Sequence, residues 1–332
     1  MRVPYDEMVR EFVRVLTKHG ITDEDAALSA KLFADASLEG VYTHGLNRFP
    51  KFIDSIKNGS VDVTKRAVLS ASFGSLERWD GQQGPGNLNA YRAMERAIEL
   101  AKEHTVGVVA LKNTNHWMRP GNYGHLACDN DCIGILWTNT IPNMPAWGGT
   151  EAKLGNNPLV VSIPYEGGTV LVDVAMSMFS YGKLEKYKRE GTMCPVDGGF
   201  DTKGNMTRDP AEILKTHQVL PIGYWKGSGL SLVLDLIAAM LSGGNTTHEV
   251  GSYPYETMLS QTFIAIDLSR FPDREALEAK VDATLKDLQS STSIQEGVAV
   301  HYPGQGMQRT RAESLEKGVL VDPGIWAGVL EA

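Results

Sequence analysis

Residues 159–174 read Leu-Val-Val-Ser-Ile-Pro-Tyr-Glu-Gly-Gly-Thr-Val-Leu-Val-Asp-Val and hold two short β-branched runs, Leu159–Ile163 and Val170–Val174. Runs of this length, rich in Val and Ile and bounded by Gly or Pro, favour strands. Similar runs stand at Val106–Leu111, Ile133–Trp137 and Gln261–Asp267. A doubly wound sheet needs strands and helices in strict alternation. Two strands in direct succession break that rule, so the centre of the chain is expected to be an α/β unit of another topology.

Outward from this centre the apolar period changes to that of a helix. Met8, Phe12, Val15 and Leu16 share one face, closed by Gly20. Thr22 and Asp25 resemble a capping box, and Leu28, Leu32 and Phe33 carry a stripe to Gly40. Leu46, Phe49, Phe52, Ile53 and Ile56 predict a third helix ending at Asn58-Gly59. Asn87 is placed to cap a helix bearing Leu88, Tyr91, Met94 and Ile98. A long apolar helix is expected over Leu230–Leu241, and further helices over Arg274–Gln289 and Arg309–Lys317. The expected organisation is a helical domain built from both chain ends, residues 1–75 with 270–332, around a mixed α/β domain over 76–269.

The 332 residues suit two domains, and with 42% apolar residues they can bury a sizeable core. A formal net charge of −8 argues against nucleic acid as a partner, because phosphate binding needs a basic face. A small anion is compatible, since a cationic pocket can sit inside an acidic protein. No run approaches the ~18 apolar residues of a membrane span, and Met1–Phe12 lacks the apolar stretch of a signal peptide. Three cysteines, Cys128, Cys132 and Cys194, build no disulfide framework. A cytoplasmic, reducing setting with no membrane partner is the expectation.

Generic cofactor motifs fail. Gly84-Pro85-Gly86 has Asn89 at the third glycine position, Gly227-Ser228-Gly229 has Leu232, and Gly182-Lys183 continues with Leu184. His125, Cys128 and Cys132 would share one helical face, but without Cys-x-x-Cys spacing no metal is expected. Four segments carry candidate chemistry. In Val41–Phe49, His44 and Arg48 are four apart; Arg offers a planar fork to a carboxylate and His transfers protons near neutral pH. The loop Asn113–Gly124 repeats His-plus-cation with His116 and Arg119, and its Asn115 and Asn122 could bind sugar hydroxyls. Gly223–Gly229, with Trp225 and Lys226, opens the long helix where free amides attract phosphate. Asp173, at the end of a strand, could accept ribose hydroxyls and repel the extra phosphate of NADP. Each also has a bland reading, as a helix cap, a polar turn, a glycine-rich approach to a buried helix or a strand-terminal turn.

Five longer stretches decide between these readings: 40–50 (Gly-Val-Tyr-Thr-His-Gly-Leu-Asn-Arg-Phe-Pro), 115–119 (Asn-His-Trp-Met-Arg), 176–182 (Met-Ser-Met-Phe-Ser-Tyr-Gly), 195–201 (Pro-Val-Asp-Gly-Gly-Phe-Asp) and 223–229 (Gly-Tyr-Trp-Lys-Gly-Ser-Gly). In this order they resemble the malate/L-lactate dehydrogenase-like oxidoreductases, and the resemblance covers essentially the whole chain. It implies a mixed-sheet, two-layer cofactor domain of non-Rossmann topology beside the helical domain, and a homodimer with active sites near the subunit interface. It implies His44 as proton donor, with His116 a second acid/base candidate; by side-chain chemistry Arg48, aided by Arg119, is the expected carboxylate clamp. It implies NAD held by Thr169, Val170, Leu171, Val172, Asp173, Val174 and Ala175, by Trp225 and Lys226, and by the turn Gly304-Gln305-Gly306. That turn departs from the reductase pattern, which has a larger polar side chain and a carboxylate after the first glycine; the implied contacts there are backbone contacts. The expected reaction is NADH-dependent reduction of a 2-oxo sugar acid with a 2,3-diketo group. Malate, L-lactate, ureidoglycolate or a cyclic imine carboxylate are alternative substrates, and a sugar-acid binding protein is the non-enzyme alternative.

Overall fold

The computed structural model describes residues 1–332. Its helices are α1 (Tyr5–Lys18), α2 (Asp23–Leu38), α3 (Phe49–Lys57), α4 (Gly86–His104), α5 (Gly121–Cys128), α6 (Tyr181–Glu190), α7 (Pro210–Thr216), α8 (Trp225–Ser242), α9 (Thr247–Val250), α10 (Arg274–Gln289), α11 (Gln305–Lys317) and α12 (Pro323–Glu331). One seven-stranded sheet organises them. Its strands are β1 (Val68–Phe73), β2 (Leu76–Asp80), β3 (Val106–Thr114), β4 (Cys132–Thr138), β5 (Leu159–Tyr165), β6 (Gly168–Val174) and β7 (Leu259–Asp267).

The strand order is β1-β2-β3-β7-β4-β5-β6. Only β2 and β3 run parallel, joined through the crossover helix α4; every other neighbour pair is antiparallel. β5 and β6 form a hairpin in which Leu159 faces Val174 and Tyr165 faces Gly168. The expected mixed sheet of non-Rossmann topology is therefore present. Side-chain alternation divides it between two cores. On one face Val109, Leu111, Leu136, Val160, Leu171, Phe263 and Ala265 pack against α4 and α5. On the other Ile135, Trp137, Leu159 and Ile264 meet Leu234 and Ala238 of α8.

A third core joins the two chain ends. Met8, Phe12, Val15 and Leu16 of α1, Phe33 of α2 and Phe49 and Phe52 of α3 pack with Val319, Val321, Trp326 and Val329. Phe12 and Phe49 stack with centroids 4.2 Å apart. Helix α10, although C-terminal, buries none of its residues.

The structure corrects several local expectations. β1 and β2 were not read as strands, because β1 is largely exposed and alternates weakly; their hairpin straddles the boundary expected at residue 75. Asn87 lies inside α4 rather than capping it, and its amide donates to Ser29 Oγ at 2.7 Å. Helix α8 starts at Trp225, five residues before Leu230, so Gly227 and Gly229 fall among its first five residues while Gly223 precedes it. By length and composition α8 is also apolar enough to cross a bilayer, although Ser228, Ser231 and Asp235 interrupt any continuous apolar run. Here its inner side seals the sheet, and Trp137 Nε1 donates to Leu234 O at 3.0 Å. Cys132 belongs to β4 while α5 stops at Cys128, so the helical face imagined for His125, Cys128 and Cys132 does not form.

Candidate active site

Two turns bring the histidines together. His44 ends a short 3-10 turn, Tyr42–His44, immediately after α2. Gly45 lets this turn lie on α2, because a Cβ there would stand 2.2 Å from Ser37 Oγ. The Ser37 hydroxyl in turn accepts from Leu46 N–H at 2.8 Å. His116 follows β3 in a loop tied down from behind. Asn115 Nδ2 donates to the carbonyls of Gln83 and Gly84 at 2.8 and 3.0 Å, and Trp117 is buried against Tyr123 and Phe263. The rings of His44 and His116 are nearly parallel, 20° apart, with centroids 5.8 Å from one another.

Arg48 caps the start of α3 rather than sharing one helix with His44, because the 3-10 turn ends before the α-helix begins. Its guanidinium makes only a loose ion pair, 3.5 Å to Glu256. Arg48, Lys51 and Phe52 of α3, with Ser55, Ser60, Asn115, His116, Tyr255 and Glu256, line a cleft of about 190 Å³. His116 stands in its wall; His44 stacks beside His116 and is not itself a lining residue.

Electrostatics define the protonation states. Burial, helped by the charges of Arg48 and Arg119, pushes His44 down to about 4. Burial also depresses His116 well below the ordinary imidazole value, with Arg48 and His44 adding to the effect. Both rings are neutral at pH 7 in this state, so the proton donor expected at His44 has to gain its second ring proton once a ligand is bound. Met118 N–H donates to His116 Nδ1 at 2.9 Å. A neutral ring that accepts at Nδ1 carries its proton on Nε2, so His116 is a hydrogen-bond donor.

Several expected ligand-binding groups are otherwise engaged. Arg119 is buried and its guanidinium lies 2.6 Å from Glu39 and 3.0 Å from Asn122 Oδ1; it cannot clamp a substrate, because its charge is already paired. Asn115 spends both amide N–H groups on Gln83 and Gly84, so it has none free for sugar hydroxyls, whereas Asn122 donates one to Leu32 O and accepts from Arg119 at its Oδ1. Asp173 accepts from Gly121 N–H at 3.1 Å at the start of α5, and burial raises its carboxyl. What it offers along the sheet edge is backbone rather than side chain. Glu39 is a hub: Arg119 at 2.6 Å, His125 at 3.3 Å and Arg311 at 3.1 Å surround it. Burial raises its carboxyl, yet His125 and Arg119 prevail and hold it at about 2.

The three segments expected to hold the dinucleotide are contiguous. β6 is the last strand of the sheet, so one backbone edge has no strand neighbour. Val170, Val172 and Val174 lie opposite β5 residues in the hairpin register. On the outer edge Leu171 N–H donates to Pro303 O at 3.0 Å. Gly304, at φ +97°, lies against this strand, where a Cβ would be 3.0 Å from Leu171 N and 3.1 Å from Thr169 O. Gln305 and Gly306 begin α11. Past Ala175, Met176 O accepts from Ile222 N–H at 2.9 Å, and that loop leads directly into Trp225 and Lys226 at the start of α8. The outer edge of β6 is thus covered by Pro303 and Gly304 as far as Leu171 and has no strand neighbour beyond it, between the N-termini of α11 and α8, both suited to anionic groups. A nicotinamide dinucleotide, extended and carrying two phosphates, fits that arrangement. Cys128 and Cys132 are buried thiols pushed up to about 11, and no cluster of three metal-ligand side chains exists.

Lys51 and Glu256 were missed in the sequence. Lys51 lies three residues beyond Arg48 on the same helix and was legible by spacing. Glu256 comes from a loop some 200 residues away and has no local signal. Glu39 is the C-cap residue of α2, directly after its apolar stripe, where a carboxylate carries no local signal of a buried partner.

The family model for malate/L-lactate dehydrogenase matches residues 3–329. The 2,3-diketo-L-gulonate reductases of Citrobacter koseri and Klebsiella pneumoniae are each 44% identical over 330 residues, 99% of both chains. Among solved structures, sulfolactate dehydrogenase of Methanocaldococcus jannaschii superposes with a TM-score of 0.91 at 31% identity, covering 100% of this chain and 96% of its own. Malate dehydrogenase of Entamoeba histolytica gives 0.93 at 27% identity, with the same coverage. Fold and full-length match agree: the chain belongs to the malate/L-lactate dehydrogenase family of nicotinamide-dependent oxidoreductases.

Proposed function

We propose that this chain reduces a 2-oxo sugar acid, 2,3-diketo-L-gulonate to 3-dehydro-L-gulonate, with NADH as reductant. The observation that carries the reading is the Arg48 guanidinium, free of hydrogen bonds in a cleft whose wall holds His116 with His44 beside it. An unsatisfied fork at that place matches the carboxylate of a 2-oxo acid. The names of the relatives at 44% identity support the sugar-acid substrate.

NADH, when bound along β6, supplies the hydride. Arg48 fixes the substrate carboxylate and with it the orientation of the C2 carbonyl. His116, protonated on Nε2, donates a hydrogen bond to the carbonyl oxygen and stabilises charge developing there. His44 gives the proton to the alkoxide. Burial is the main cause that keeps both imidazoles neutral, with Arg48 adding to it; an anion docked on Arg48 offsets that added part and itself favours a charged ring, so His44 becomes easier to protonate when substrate is present.

The active form is a homodimer. Leu232, Val233, Leu236, Ile237 and Met240 form an exposed apolar stripe along α8, with Met240 74% exposed. A patch of this kind suits an interface, and because α8 begins at Trp225 and Lys226, a second copy seated on this stripe would adjoin the cofactor segment. Free, buried cysteines suit a reducing cytoplasm.

Initial rates with NADH and NADPH on 2,3-diketo-L-gulonate, pyruvate and oxaloacetate test the assignment. NADH with the sugar acid is expected to be fastest, and His44→Ala is expected to lower turnover by ~10²–10⁴-fold. Unchanged turnover in that variant removes His44 from the chemistry.

A further inference from the structure

We propose that Glu256 sets the charge class of the substrate, admitting a monoanionic acid with a hydroxylated tail and rejecting dicarboxylates. The inference deepens the reductase reading and rests on it.

The cleft is lined by two cations, Arg48 and Lys51, and by one carboxylate, Glu256. One net positive charge remains, which matches a single substrate carboxylate. Glu256 lies 3.5 Å from Arg48 without a hydrogen bond, and its other contact, from Ile141 N–H, is also 3.5 Å. Both contacts are long for charge-assisted partners. An incoming carboxylate that takes Arg48 in two short hydrogen bonds therefore displaces Glu256, which stays in the cleft as an ionised acceptor.

The hydroxyls beside it are arranged to accept as well. Ser55 Oγ donates its proton to Lys51 O at 2.9 Å, and Ser60 Oγ donates to Ser55 O at 3.2 Å. Each hydroxyl has one proton, so what remains for a ligand is lone pairs. On the side of the cleft formed by Glu256, Ser55 and Ser60 these acceptors suit substrate O–H groups, while the donors Arg48, Lys51 and His116 face the substrate carboxylate and carbonyl. A second carboxylate meets the same lone pairs and the charge of Glu256, which is repulsion in a confined site.

The test is Glu256→Gln in the full-length protein, which keeps size and hydrogen bonding and removes the charge. Calorimetric binding of L-gulonate, a hydroxylated monoanion, and of L-malate, a dicarboxylate, is compared between the two proteins. The variant is expected to bind malate at least about tenfold more tightly and gulonate no better than the native protein. The ratio of kcat/KM for oxaloacetate over 2,3-diketo-L-gulonate should rise by a similar factor. Equal factors for both acids, no change, or failure of the native protein to bind either acid overturns the proposal. If binding selectivity shifts as stated while neither protein turns over any keto acid, the reductase reading fails and the role of Glu256 stands.

Discussion

Replacing Glu39 by Ala strips the buried Arg119 of its counter-charge and unties the two histidine turns, since Glu39 precedes His44 by five residues and Arg119 follows His116 by three. The magnitude follows from two routes. A carboxyl held from 4.5 down to about 2 represents about 3 kcal/mol of stability. Breaking a buried pair by removing one partner costs about 3–5 kcal/mol; the Arg119 side chain has no exposure and that of Glu39 only 6%. For 332 residues the unfolding entropy is about 0.7 kcal/mol per kelvin, so the melting temperature should fall by about 5 °C. The control is Glu151→Ala. Its partner Lys153 lies 3.1 Å away, but the two side chains are 75% and 72% exposed, and the expected change is within about 0.5 kcal/mol. The pH dependence has a definite sign. The folded pKa is depressed, so the contribution is complete above the unfolded value near 4.5 and disappears as pH falls through about 2. Thermal and urea melts of all three proteins between pH 8 and 3 give the comparison. A Glu39 variant that melts with the Glu151 control at pH 7 refutes the argument, as does a deficit that grows on acidification.

Two further outcomes are expected. Gly304→Val places a Cβ 3.0 Å from Leu171 N at a φ of +97°, which forces the turn off β6; NADH affinity, read by fluorescence, should fall at least tenfold (roughly) with the His44–His116 pair intact. A double substitution Leu236→Glu, Met240→Glu on the exposed stripe of α8 should halve the mass seen by sedimentation, because two charges cannot be buried unpaired at an interface; a native chain that sediments as a monomer removes the dimer.

The sequence makes the helical ends legible because α1 and α3 bury one clear face each, Met8 to Leu16 and Phe49 to Ile53. It makes β5 and β6 legible because Val and Ile dominate them. It hides β1, whose apolar residues face solvent, and it misleads at Arg119, where a guanidinium next to a candidate histidine looks like a ligand clamp. Only tertiary contact shows that Glu39, 80 residues earlier, has already taken that charge. The same holds for the imidazoles: adjacency of His44 and Arg48 suggests an acid and a clamp, but the burial that depresses both rings is a property of the packed turns.

The position of β7 governs when this molecule can become whole. Residues 259–267 occupy the middle of the sheet, between β3 and β4, although they are made more than 120 residues after either. A nascent chain leaving the ribosome therefore holds two half-sheets with open inner edges, and the helical core waits for Val319 to Val329 as well. High contact order of this kind slows folding, and unpaired edges invite wrong partners while they persist. Truncation anywhere upstream of residue 259 should leave an insoluble fragment rather than a smaller folded domain.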